Sequence, residues 1–216
     1  MWIFATVLSP IVWLMEWLLG LFTDLTGSVG VAIILLSGVM SLALTPFRRL
    51  GKAVEDRISV KMKAANEEVA EARKTLKGEK LFLATEKIYQ RHGYHPIQSV
   101  ALGASFLVML PVLISAIILF QNTPLTAGEA FLFIPDLQQP DGVLWGFNLL
   151  PAIMSAVTIV DAAIRFRDDR SAQLKFYFLA AVLFALVYGL PSALVLYWTF
   201  NNFFAFATSV LDRKRD

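Results

Sequence analysis

The sequence predicts an all-α integral membrane protein, a five-span helical bundle with an outer interfacial helix and a cytoplasmic helical hairpin. Three observations carry this expectation. Hydrophobic residues make up 57% of the chain and charged residues 17%, whereas a soluble domain normally carries about 25% charged residues. The 19 basic residues fall in three clusters, Arg48 to Arg91, Arg165 to Lys175 and Arg213 to Arg215, and residues 1–47, 92–164 and 176–212 hold none. A Gly189–Leu190–Pro191 break divides the last long apolar stretch.

Cytoplasmic loops are the ones enriched in Lys and Arg, so all three clusters read as cytoplasmic. Each cation-free stretch between two clusters then leaves and returns to the same side. Val29–Phe47 crosses once, inward, and residues 25–47 form the first core unit. Ile97–Phe120 and Val143–Ile164 make the next pair of spans, since a crossing needs roughly 20 apolar residues. Between them, near 121–142, Glu129, Asp136 and Asp141 stand without a base and mark an outside loop. Residues 176–211 as one helix would be about 54 Å long, too long for a hydrocarbon core of about 30 Å. The break yields Phe176–Tyr188 and Ser192–Leu211, and residues 96–216 therefore hold four spans and a short basic tail.

Residues 1–24 lack a basic n-region, so a cleaved secretory signal is not expected. Glu16, Gly20, Thr23 and Asp24 share one helical face, while Trp13, Leu14, Trp17, Leu18 and Leu21 lie elsewhere. That stripe predicts a helix lying in the outer interface, with a sixth span as the alternative.

Residues 48–95 are charged and helix-favouring. Val54, Ile58, Met62, Ala65, Val69, Ala72 and Leu76 recur at near-heptad spacing, Gly78 interrupts them, and Leu81, Ala84, Thr85 and Ile88 resume the pattern. An antiparallel helical hairpin with a shorter second arm follows; a solvated helix pair without function has the same signature. His92 and His95 are the only histidines. A zinc site needs further ligands at suitable geometry, so no metal and no cofactor is expected. No Gly-rich phosphate loop, nucleophile elbow or zincin motif occurs, and no enzymatic activity is expected.

The candidate chemistry lies in polar residues at membrane depth. Ser37, Ser41 and Thr45 are four apart on the first span; Gln98, Ser105 and Ser115 belong to the second. Asn148, Ser155 and Thr158 lie near one face of the third, with Asp161 placed to pair with Arg165 one turn on. The last span carries Tyr197, Trp198, Thr199, Asn201, Asn202 and Ser209. Such residues usually face a bundle interior or water. Taken singly, each Ser or Thr reads as interhelical glue; the adjacent amides of Asn201 and Asn202 read better as lining a wet cavity.

"LPSALVLYWTFNN" (190–202), "NLLPAIMSAVTIV" (148–160), "HPIQS" with "LPVLISAIILF" (95–120) and "GVAIILLSGVMSLALTPF" (30–47) occur in an order that resembles the YidC-type membrane protein insertase family. The resemblance covers nearly the whole chain. It implies a groove open to the cytoplasm and to lipid but closed outside, lined by the polar residues above. It also implies newly made membrane proteins and lipid as partners, a translocon or ribosome beside them, no direct nucleic-acid contact, and a place in the plasma membrane. Two departures stand out. The family usually has an arginine five residues before the proline ending the first core span, and that position here is Ser41. The terminal "DRKRD" is a short basic stretch where many relatives have a long one. A neutral groove is expected, with weaker preference for acidic tails. The competing reading is a scaffold or dedicated assembly factor that keeps the fold; a small-molecule transporter would predict repeated halves, and no internal repeat is visible.

Overall fold

A computed structural model describes residues 2–98, 104–143, 145–165, 167 and 170–213. The described residues form seven α-helices: α1 Trp2–Thr26, α2 Val29–Thr75, α3 Gly78–Arg91, α4 Ala104–Asn122, α5 Leu149–Arg165, α6 Arg170–Val187 and α7 Ser192–Arg213. The chain divides into two compact units, Met1–Ala43 with Val112–Asp216, and Leu44–Pro111.

The starts of α2 and α7 fall where the sequence places them, and α6 ends before the Gly189–Pro191 break. Three boundaries differ. First, α2 does not stop at Phe47 but runs 47 residues, through Pro46, to Thr75. An interior proline removes one backbone donor and crowds the carbonyl four residues back, at about 3 kcal/mol, and the charged residues beyond it, strong helix formers, carry the helix on. Second, the helix in the region expected as the third span, α5, starts at Leu149 instead of Val143; Val143 and Trp145–Asn148 belong to the loop, where Gly142 and Gly146 take φ of +52° and +88°. Third, Pro96–Gln98 form a single tight turn where the sequence predicts a span from Ile97; α4 is described from Ala104. The expected first residues of that span at 99–103, and the terminal cluster from Lys214, lie outside the described residues.

The first unit contains α1, the start of α2, most of α4, and α5 to α7. Around α1, at about 100° per residue, the side chains sort into three sectors. Leu8, Met15 and Leu19 are buried; Glu16, Thr23 and Asp24 share a polar sector; Trp13, Leu14, Trp17, Leu21 and Leu25 form an exposed apolar one. A helix inserted in an interface beside a protein needs all three. Phe147, Phe184 and Tyr188 form an aromatic triangle with centroids 5.3–6.4 Å apart at one end of α5 and α6.

The second unit is built on the hairpin. Ala65 and Val69 of α2 are buried with Ile88 and Tyr94, and Ile58, Met62, Ala72 and Tyr89 pack around them. The seam is filled only in its middle: Val54 is exposed and Leu76 half-buried, because the 14 residues of α3 reach only about 21 Å. Glu68 ties the two arms, accepting from Arg91 Nη1 at 2.5 Å and lying 2.8 Å from His92 Nε2. The hydrogen bond with His92, followed by the attraction of Arg91, holds its carboxyl below the ordinary 4.5.

Candidate functional site

Four of the candidate residues of the first unit, Ser37, Ser41, Tyr197 and Asn201, lie on α2 and α7, which touch at Ser37 and Tyr197. Ser37 Oγ lies 2.7 Å from the Ile33 carbonyl of its own helix and 3.1 Å from the Tyr197 carbonyl of α7. Tyr197 is buried, with its ring 5.8 Å from that of Phe120 on α4. A Cβ placed on Gly38 would meet the Phe204 ring at 3.3 Å, so the glycine permits the two helices their close approach. One turn beyond Ser37 and Tyr197 come Ser41 and Asn201, both buried.

Hydroxyls along this seam are largely absorbed by backbone carbonyls one turn earlier. Thr199 donates to Val195 at 2.7 Å and Thr158 to Met154 at 3.0 Å. A hydroxyl so bonded adds little polarity to its surroundings. Ser155 differs: its Oγ is buried with no partner among the described residues. An unsatisfied buried hydroxyl costs about 1–3 kcal/mol, which a bound water removes where room exists. Trp198 and Asn202 are half-buried on α7.

Asn148 serves the opposite end of the helices. Its Oδ1 accepts from Gly142 N at 2.8 Å and its Nδ2 donates to the Tyr188 carbonyl at 2.5 Å. It thereby joins the long loop to the end of α6. Thr45 and Gln98 belong to the second unit, where both are half-buried and Gln98 Oε1 accepts from His95 N at 3.2 Å. The side chains of Ser105, Arg165 and Ser209 lie outside the described ones, the expected Asp161–Arg165 pair among them.

The role that the sequence reading did not foresee is that of Asp141, read there only as a loop carboxylate. Its Oδ1 accepts from Leu149 N at 2.7 Å and Val143 N at 3.5 Å, and its Oδ2 from Leu150 N at 2.6 Å. A carboxylate from eight residues upstream thus caps α5, satisfying donors that the first turn leaves open. The same loop caps α7: Ser192 N and Ala193 N donate to the carbonyls of Gln139 and Leu137 at 2.9 and 2.8 Å, and Ser192 Oγ donates to Gln139 at 2.6 Å. Phe131 and Ile134 exchange two backbone hydrogen bonds of 2.9 Å around a tight turn, whose first central residue, Leu132, has φ +53°. Glycine normally takes that position, and a leucine there costs roughly 1–2 kcal/mol. Among the described residues, no group of three or more His, Asp or Glu is placed to hold a metal ion.

The chain has counterparts among known proteins. The membrane protein insertase YidC of Treponema denticola is 26% identical over 215 residues, covering 90% of this chain and 36% of that protein. The protein of the same name from Magnetococcus marinus is 28% identical over 188 residues, covering 85% and 32%. The chain thus spans about a third of the length of these relatives. A crystal structure described as an active YidC insertase with its first transmembrane domain resolved superposes with a TM-score of 0.60 at 22% identity, over 95% of this chain and 46% of that one. The family model of the 60Kd inner membrane protein matches residues 21–216, and the chain belongs to that family, the YidC-type proteins.

Proposed function

We propose that the chain is a membrane protein insertase of the inner membrane, which helps hydrophobic segments enter the bilayer beside a hydrophilic groove open to the cytoplasm. In this reading α2 (to Phe47), α4, α5, α6 and α7 cross the membrane, α1 lies in the outer interface, and the hairpin and the last basic cluster are cytoplasmic. The observation that carries it is the polar set held among apolar helices, with Ser155 Oγ buried and unpartnered and Ser41 and Asn201 buried one turn below the Ser37–Tyr197 contact. Ser155, Asn201 and Asn202 supply the hydration, and Ser37, Thr158 and Thr199 chiefly join or satisfy helices.

The physics of such a device is modest. A hydrated polar surface lowers the desolvation cost of moving a polar flank, while the apolar segment partitions into lipid unaided. At about 1.5 Å per residue, α5 and α6 reach about 26 and 27 Å, a little less than a hydrocarbon core of about 30 Å, and a short span draws the bilayer in around it. Hydrophobic partitioning and the membrane potential, about 2.3 kcal/mol per charge per 100 mV, drive the transfer. Nascent membrane proteins and lipid are the partners, with a translocon or ribosome as the delivering machine.

Ser41 makes this groove neutral, and the same observation favours the second reading, a scaffold or dedicated assembly factor. One experiment separates the two. In cells depleted of their own insertase, expression of this chain restores insertion of a simple single-span protein; normal expression without rescue favours the scaffold. Ser41→Arg in the rescuing strain raises transfer of acidic relative to neutral tails, and an unchanged ratio in a folded variant rejects the neutral-groove account.

A further inference from the structure

The loop between α4 and α5 buries Ile134 and Leu137 together with several hydrogen-bonded polar groups, yet holds two large apolar side chains outward. Thr123, Thr126, Asp141 and Asn148 are buried, and Asp136, half-buried, accepts from Gly128 N and Gln138 N at 3.1 and 2.8 Å. Leu132 is 82% exposed and Trp145 fully so, with Phe133 and Phe147 exposed beside them in sequence. Leu132 and Trp145 are also the only described residues other than glycine with positive φ, at +53° and +50°. Water does not reward holding two large apolar side chains outward on backbone at positive φ.

A lipid interface does reward it. The loop joins the ends of two apolar helices, and Trp145 lies four residues before α5. Phe131, next to Leu132, packs at Gly30 near the start of α2, close in sequence to the exposed Leu25 of α1. No lysine or arginine occurs from 92 to 164, the pattern of an outer segment. Tryptophan is the side chain most at home at the headgroup level. We propose that Leu132 and Trp145 are a pair of lipid anchors that seat in the interfacial layer of the outer leaflet. They fix the depth of the loop, and with it the helix starts that the loop caps. The inference rests on the bundle lying in a bilayer and does not require client insertion.

The chain has no cysteine, so single-cysteine variants report cleanly. Leu132→Cys and Trp145→Cys, with Phe133→Cys as a second probe of the same face and Glu129→Cys as an exposed reference, are labelled with an environment-sensitive fluorophore. The full chain is reconstituted in phosphatidylcholine–phosphatidylglycerol vesicles with iodide on both sides, or with nitroxide lipids labelled near the headgroup or in mid-chain. The expected result is several-fold weaker iodide quenching at 132 and 145 than at 129, with stronger quenching by the shallow nitroxide than by the deep one. Iodide quenching equal to that at 129 overturns the proposal. Protection from iodide without any nitroxide quenching also overturns it, because the cover is then protein.

Discussion

Replacing Asp141 tests the link between the loop and the bundle. The carboxylate is buried and makes two short bonds, to Leu149 N at 2.7 Å and Leu150 N at 2.6 Å. Hydrogen bonds to a charged acceptor contribute about 1.5–3 kcal/mol each, and a negative charge at a helix start adds about 0.3–1 kcal/mol. Water entering the vacated space recovers part of this, leaving an expected local loss of roughly 2–4 kcal/mol for Asp141→Ala. Asp141→Asn keeps one acceptor and loses about half as much. Hydrogen exchange in a bilayer mimetic reads the effect where it arises. At about 1.4 kcal/mol per tenfold, Leu149 and Leu150 amides exchange some 30- to 1000-fold faster in the alanine variant, with a smaller increase in the asparagine one. The amide of Ser192, held by the Gln139 carbonyl, keeps its protection if the loop stays folded. Unchanged exchange at Leu149 and Leu150 in a folded Asp141→Ala protein would refute the capping role.

Two further outcomes follow from the packing. A methyl group at Gly30 would overlap the Phe131 ring at its root, next to that residue's own backbone, where rotation gives little relief; Gly30→Ala lowers the thermal midpoint, by about 1–3 kcal/mol of overpacking, and Phe131→Ala in the same chain restores part of it. In the hairpin, the carboxyl of Glu68 titrates below its ordinary 4.5 because His92 and Arg91 stabilise its charged form. Its contribution is therefore complete above about 4.5 and disappears as pH falls through the lower folded value. Acidification over that range loosens the hairpin, read by proteolysis at the Leu76–Lys77 turn, and Glu68→Gln removes this part of the pH dependence.

Helix starts at Val29 and Ser192 were legible because local chemistry announces them: a small polar pair before the first and Gly–Leu–Pro before the second. The start of α5 was not. Val143, Trp145 and Phe147 are as apolar as a span requires, and hydropathy records a preference for a dry or interfacial setting without distinguishing helix from turn. Gly142 and Gly146 were the available warning. The capping role of Asp141 was missed because familiar capping signals lie within three residues of the helix start, and this one acts from eight away. The hydroxyl stripes were visible as stripes, but spacing alone does not reveal that Thr158 and Thr199 bond their own helices while Ser37 reaches another.

Helix beginnings ordinarily attract anions through their open amides and positive dipole end. At the loop-covered end of this bundle that attraction is quenched from within: Leu149 and Leu150 point their amides at Asp141, and Ser192 and Ala193 spend theirs on the carbonyls of Gln139 and Leu137. An acidic stretch of polypeptide arriving there finds no vacant cradle of donors at either helix. Glu129, Asp136 and Asp141, with no lysine or arginine among them, leave the loop with acidic charge only, so these two helix starts offer an anion neither open donors nor a compensating cation.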